Sequence, residues 1–242
     1  MIRNPKHLRL LGVLPSSIIH VGGHLGQDGR DYNRLNPSSP VIWAEPVLEN
    51  ANKIAKLFPT HMVIRKAFWW RKESNRIFHR LINSENSSLK KPYIYLDGDE
   101  EISVECTTLD MEFQFIELGE KPYLLLDTQG SEYEVLLGGK RTLEKVKYLV
   151  IEETKPLSIL YEDVFSHEQI MAIIKTYGFY RCLNRPSHDL TYTDVLYVKT
   201  SVHKLIWIKT LDALLLHMSF LVHYIKYKHL KSSYFQCGTC DS

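Results

Sequence analysis

The feature that most constrains the fold is an alternation of short apolar runs with longer segments of helical periodicity. Ser17–Gly22, Val41–Glu45, Met62–Ala67, Tyr123–Asp127 and Val146–Glu152 read as buried strands. Gln27–Leu35, Pro46–Phe58, Ser131–Glu144 and Ser166–Tyr177 read as the helices between and after them. Strands that carry no polar face must be covered on both sides, so this order predicts a doubly wound, mostly parallel α/β sheet. Phe179–Leu183 and Asp194–Lys199 read as an antiparallel terminal strand pair, which brings the sheet to seven strands. Between Trp69 and Thr107 the alternation degrades. The stretch "LINSENSSLKKPYIYLDGDEE" predicts hairpins and a long loop, an irregular insertion over about 69–107.

After Lys199 the character changes, so 1–199 is expected to be one domain and 200–242 a C-terminal helical extension with a flexible tail. His203–Leu230 is strongly apolar but interrupted by Lys209, Asp212, His217 and His223. Those charges argue against a single membrane span and favour helices packed on the domain or on a second copy of the chain. Lys226, Lys228 and Lys231 leave peripheral membrane contact as the alternative. Cys237 and Cys240 have CxxC spacing but no second ligand pair, so no zinc site is expected. The remaining cysteines, Cys106 and Cys182, are scattered, which fits a reducing, cytoplasmic setting. Lys and Arg number 30 against 28 Asp and Glu, too balanced for generic nucleic-acid binding. A secretory signal is not expected, because Pro15 interrupts the short apolar run of the N-terminus.

The first strand runs into a glycine loop, "SSIIHVGGHLGQDGRDY", with Gly22, Gly23 and Gly26 at the hand-over to the helix. Glycines there let a ligand approach the backbone, and the helix start offers unpaired N–H groups. Glu45 ends the next strand, where a carboxylate can accept both hydroxyls of a ribose. A nucleoside cofactor explains both features; a tight turn beside an incidental glutamate explains them separately. The spacing is GGxxG rather than GxGxxG, and Asp28 in the first helical turn would oppose a pyrophosphate. No GK[ST] follows, which excludes a P-loop. A phosphate-free nucleoside cofactor fits best, and S-adenosyl-L-methionine is the expectation. A nicotinamide-dependent oxidoreductase is disfavoured by the same two features. His20 and His24 straddle a turn with no carboxylate or cysteine cluster nearby, so no metal is expected.

The sequence resembles the FkbM-type methyltransferases, class I enzymes that use S-adenosylmethionine, over roughly Ser17 to Lys199. "IIHVGGHLGQ" resembles the family's first motif, "VIWAEP" its ribose-binding strand and "IRKAFW" the strand beside the adenine. "SVECTTLD" matches as far as Asp110, and "YLLLDTQGSEYEVLLGG" is the most specific match. "YLVIEE" and "DVLYVK" complete the ordered set. His20 stands where many members carry aspartate. The resemblance implies a Rossmann-like fold and O-methylation, with sugars, glycans or related natural products as acceptors. It also implies a cofactor site made of His20, Gly22, Gly23, Gly26, Gln27, Glu45, Pro46, Ala67, Phe68 and Asp127.

A hydroxyl acceptor needs alignment with the methyl and a group to take its proton. Asp127 and Glu152 end neighbouring strands and should face the crevice at the strand ends, as catalytic candidates. Asp127 has a helix-capping role as its alternative. His24 is a candidate base or substrate contact, and Gln129 orients the acceptor or holds its turn. Trp69 and Trp70 offer an aromatic surface for a sugar ring or a hydrophobic cover for the sheet. The competing expectation is an inactive scaffold of this fold, self-associating or docking to membrane through 203–230.

Overall fold

The computed structural model describes residues 5–35, 37–38, 41–154, 161–186, 192–201 and 203–215. Contacts divide the chain into Met1–Thr200 and Ser201–Ser242. In the second unit residues 203–215 are helical. The expectations for the rest of 203–230 and for the CxxC tail lie outside the described residues. Among those described, no helix is long and apolar enough to cross a membrane.

The first unit begins with α1 (Pro5–Leu10), β1 (Ser17–Val21), α2 (Gly29–Leu35), β2 (Val41–Ala44), α3 (Leu48–Leu57) and β3 (Met62–Ile64). An insertion follows: β4 (Ala67–Phe68), β5 (Glu73–Arg80), a 3-10 turn at Ser84–Asn86, and β6 (Glu100–Thr107). Then come α4 (Leu109–Phe113), β7 (Pro122–Leu126), α5 (Glu132–Leu137), α6 (Lys140–Lys145) and β8 (Tyr148–Thr154). The unit closes with α7 (His167–Thr176), β9 (Tyr180–Pro186) and β10 (Tyr192–Val198).

Seven strands form the main sheet in the order β3-β2-β1-β7-β8-β10-β9. β1 is parallel to β2 and β7, β7 is parallel to β8, and β10 is antiparallel to both neighbours. The central strands are buried throughout, as their unbroken apolar runs require. Ile19, Ile42, Leu124 and Leu149 join helix residues Val135, Leu143 and Ile174 in one core. Each such side chain contributes about 1.5–3 kcal/mol by leaving water. Chain order reverses between β1 and β7, so a crevice opens at their carboxyl ends.

Three expectations are corrected. The predicted strand Met62–Ala67 divides: β3 pairs with β2, while β4 leaves the main sheet and pairs with β6. The insertion is more ordered than expected, since β4, β6 and β5 form a second sheet of three strands. The predicted helix Ser131–Glu144 breaks at Gly138–Gly139. A Cβ on Gly138 would stand 2.3 Å from the Trp69 carbonyl oxygen, and one on Gly139 would stand 2.5 Å from Leu109. Asp110 then starts α6 afresh, accepting from Arg141 N at 3.0 Å and Thr142 N at 2.8 Å.

Candidate functional site

A cavity of about 530 Å³ is lined by the segments that follow β1, β2 and β7, closed by part of the insertion. Its size lies within the ordinary range for small-molecule sites. Gly22 makes the approach of β1 to β7 feasible. Its φ is +90°, and a Cβ there would lie 1.8 Å from the Asp127 carbonyl oxygen. Gly23 lines the cavity, but Gly26 does not. Gly26 instead makes the turn (φ +73°) against Ile54 and Phe58 of and beyond α3.

Glu45 follows β2 and is only 4% exposed. One carboxylate oxygen accepts from His24 N at 2.8 Å and the other from Val47 N at 2.9 Å. Burial raises the carboxyl to about 7, against the opposing pull of these backbone N–H groups. Pro46 lies beside it on the cavity wall, and so do Ala67 and Phe68 of β4.

His20 reaches the cavity from a buried position in β1. Its Nδ1 lies 2.9 Å from Tyr32 Oη, and its ring packs 5.0 Å from that of Trp43. His24 has a left-handed backbone, φ 44°. Gln27 Oε1 accepts from Leu25 N, which turns the Gln27 amide nitrogen toward His24 Nδ1 at 3.0 Å. The imidazole proton then sits on Nε2, 2.7 Å from Ser84 Oγ. Burial holds the pKa of His24 below its ordinary value, so the ring is neutral at pH 7. Both ring nitrogens are engaged, so His24 connects the glycine loop to the insertion at the edge of the cavity.

The turn after β7 is built by its own side chains. Glu132, buried at 5% exposure, accepts from Thr128 N and Thr128 Oγ1 at 3.0 Å and from Gly130 N at 3.1 Å. Gln129 takes φ 53° and donates to Asp127 Oδ1 at 2.9 Å. Asp127 and Gln129 line the cavity, as do Glu152 of β8 and Tyr192 of β10. β8 continues past Glu152 to Thr154, so Glu152 stands inside the strand rather than at its end.

The insertion supplies what the sequence left unassigned. Asn83, Ser84, Glu85, Asn86, Ser87 and Leu89 line the cavity, and Tyr161 joins them from beyond β8. The stretch is "INSENSS", a run of short hydrogen-bonding side chains within a polar and aromatic segment. Trp69 and Trp70, expected at the acceptor, lie outside the lining. Trp69 is buried in the insertion's own core with Arg76 stacked 3.8 Å over its ring, and Trp70 carries Arg71 at 4.5 Å. The second sheet needs an aromatic core of its own, and the tryptophan is spent there.

The charged side chains among the described lining residues are Asp28, Glu45, Glu85, Asp127 and Glu152, against Lys66. Lys66 itself is paired with Glu105 at 3.3 Å and Glu112 at 3.1 Å. This donor set fits a cationic nucleoside such as S-adenosylmethionine and disfavours a pyrophosphate. No three His, Cys, Asp or Glu side chains among the described residues stand close enough to hold a metal ion.

Comparison with known proteins agrees. The FkbM methyltransferase domain matches residues 20–180. No curated protein matches the chain. In structure it is similar to precorrin-6y C5,15-methyltransferase from Geobacter metallireducens GS-15 (7% identity, TM-score 0.43, 83% of this chain and 90% of that one). It is similar to Aeropyrum pernix fibrillarin with natively bound S-adenosyl-L-methionine (7%, 0.45, 80% and 73%). A third is magnesium protoporphyrin IX methyltransferase from Synechocystis PCC 6803 with bound cofactor (9%, 0.45, 81% and 76%). With the family's domain matching well over half of its length, the chain belongs to the FkbM methyltransferases, S-adenosylmethionine-dependent enzymes of the Rossmann-like class.

Proposed function

We propose that the protein methylates a hydroxyl of a small polar acceptor, a sugar or a glycan end, at the cavity between β1 and β7. S-adenosylmethionine supplies the electrophilic methyl. Glu45 receives the ribose hydroxyls, and the backbone of Gly22 and Gly23 flanks the cofactor's amino-acid end together with His20. Asp127 takes the acceptor proton, with its carboxylate oriented by the Gln129 amide, and Glu152 contributes a second carboxylate to the acceptor side.

The observation that carries this reading is the convergence on one cavity of Glu45 with the hydrogen-bonding set Asp127, Gln129, Asn86 and Tyr161. A polyhydroxylated acceptor exchanges its hydration for such groups at little cost, whereas a purely apolar one leaves them unsatisfied. The test is transfer of labelled methyl to a panel of neutral sugars, polyols and glycans, with the product identified by mass spectrometry. Asp127→Asn should bind S-adenosylhomocysteine within about threefold of the parent while transfer falls roughly 100-fold or more. Full turnover by that variant, or a methylated nitrogen or carbon in the product, refutes the assignment.

A further inference from the structure

Three non-glycine residues among those described have left-handed backbones: His24 (φ 44°), Gln129 (φ 53°) and Asp163 (φ 54°). They stand on three different loops, after β1, after β7 and after β8. One short segment of the insertion, Asn83–Lys90, touches all three. Ser84 Oγ meets His24 Nε2 at 2.7 Å. Ser88 Oγ donates to the Gln129 carbonyl at 2.7 Å. Lys90 Nζ donates to the Asp163 carbonyl at 2.7 Å. Left-handed conformations of such residues persist only where the surroundings hold them, and they gather at ligand clamps. Here the common holder is a single strip of chain.

The strip crosses the cavity from one loop to the other. On the glycine-loop side, Ser84 is joined by Glu85, which accepts from Gln27 Nε2 at 3.3 Å. On the opposite side, the Asn86 carbonyl accepts from Tyr161 Oη at 2.6 Å, and Tyr161 also reaches Gln129 Oε1 at 3.3 Å. The far end is anchored more firmly. Ser88 pairs with His79 of β5 through both backbone groups, and Lys90 forms a buried ion pair with Glu134 of α5. Asn83 to Ser87 face the cavity, and Ser87 Oγ accepts from Leu81 N at 3.1 Å, which ties the tip of the segment back to the end of β5. The arrangement is a strap whose base is fixed at both ends, by the His79–Ser88 bridge and the Ile82 N–Asp99 bond of 2.6 Å, and whose tip carries two light latches, Ser84–His24 and Asn86–Tyr161.

We propose that Asn83–Lys90 is part of the ligand site, a strap that closes over bound S-adenosylmethionine and whose two latches set the rate of donor and product exchange. Parting the Ser84–His24 latch frees His24 to leave its left-handed conformation, which favours the open form, while Gln129 stays held by Ser88 at the strap's base. A ligand in the cavity adds contacts to Asn83, Ser84 and Asn86, which favours the closed form. Tyr161 thereby acts on the donor through the strap and on Asp127 through Gln129, as a positioning residue for both. The inference rests on the assignment of this cavity to the donor.

The test uses the full chain and S-adenosylhomocysteine as probe, and needs no acceptor. Stopped-flow displacement gives the dissociation rate, and hydrogen exchange gives the protection of individual segments. In the wild-type protein, ligand should slow exchange of the Asn83–Lys90 amides by about fivefold or more. Ser84→Ala combined with Tyr161→Phe, each removing one hydroxyl, should raise the dissociation rate by about tenfold and change association less. Unchanged dissociation in the double variant together with unprotected strap amides in the wild type overturns the strap while leaving the donor site intact. Failure of the folded wild-type protein to bind S-adenosylhomocysteine overturns the donor assignment, and the strap with it.

Discussion

Glu45 gives the most quantitative test of the site. Its carboxyl is raised from 4.5 to about 7, with burial as the largest cause. The folded protein therefore holds this proton more tightly than the unfolded chain does. The resulting contribution favours the folded state below about pH 4.5, declines as the pH rises toward 7, and is lost above that. The difference corresponds to roughly 3 kcal/mol. Glu45→Gln mimics the protonated carboxyl and removes the dependence. The stability of the wild type relative to the variant should thus fall by about 3 kcal/mol between pH 4.5 and 7.5. Thermal melts of the two proteins would diverge by roughly 6–12 °C across that range for a domain of this size. Ligand binding runs the other way. Ribose hydroxyls donate to the ionised carboxylate, so binding of S-adenosylhomocysteine should be strongest above pH 7. Calorimetry should show it weakening about tenfold per unit below, to about thirtyfold at pH 5.5. In Glu45→Gln the affinity should be lower and flat with pH. Parallel melting profiles, or an affinity of the wild type that does not change between pH 8 and 5.5, would refute both the burial argument and the ribose assignment.

Two further substitutions probe what brings the site together. Gly22→Ala puts a Cβ into the Asp127 carbonyl at a left-handed position. β1 and β7 must separate there, and denaturant unfolding should register a loss of about 3 kcal/mol or more. A neutral result would mean that the approach of these strand ends is looser than described. Lys90→Met leaves Glu134 buried without its cation, at a cost of about 3–5 kcal/mol. Adding Glu134→Leu should recover most of that loss, since the orphaned carboxylate goes with it. If the double variant is no more stable than the single one, the ion pair is not what anchors this end of the insertion.

The sheet was legible because its strands are buried on both faces, and Ser17–Val21, Val41–Ala44 and Pro122–Leu126 have no other way to read. Glycines and carboxylates at strand ends were legible for a related reason, since a doubly wound sheet has only one crevice to place them in. The missed features depend on distant partners. β4 is two residues long and has no periodicity of its own; it exists because β6 pairs with it some forty positions later. Gly138–Gly139 reads as the interior of an apolar helical run until Trp69 and Leu109 are packed against it. The cavity's fourth wall was hidden in polar sequence, where pattern distinguishes neither loop from ligand contact. Trp69 kept two readings for the opposite reason: an aromatic near a suspected site is equally an aromatic needed by a neighbouring core, and it lies in that core.

The division of labour between the two sheets bears on how such an enzyme changes its diet. Glu45 and Asp127, to which the proposed function gives the ribose and the acceptor proton, follow strands of the main sheet, whose spacing tolerates no side chain at Gly22. The strap, by contrast, hangs from the small β4-β6-β5 sheet, which has a separate core around Trp69, Phe78 and Val104. Substitutions between Arg80 and Glu100 therefore act on the rim of the cavity, and through the Ser84–His24 contact on the glycine loop, while leaving the approach of β1 to β7 at Gly22 untouched. Grafting this hairpin from another member of the family onto the main sheet would measure how much of the cavity's selectivity, for donor and acceptor alike, the small sheet carries.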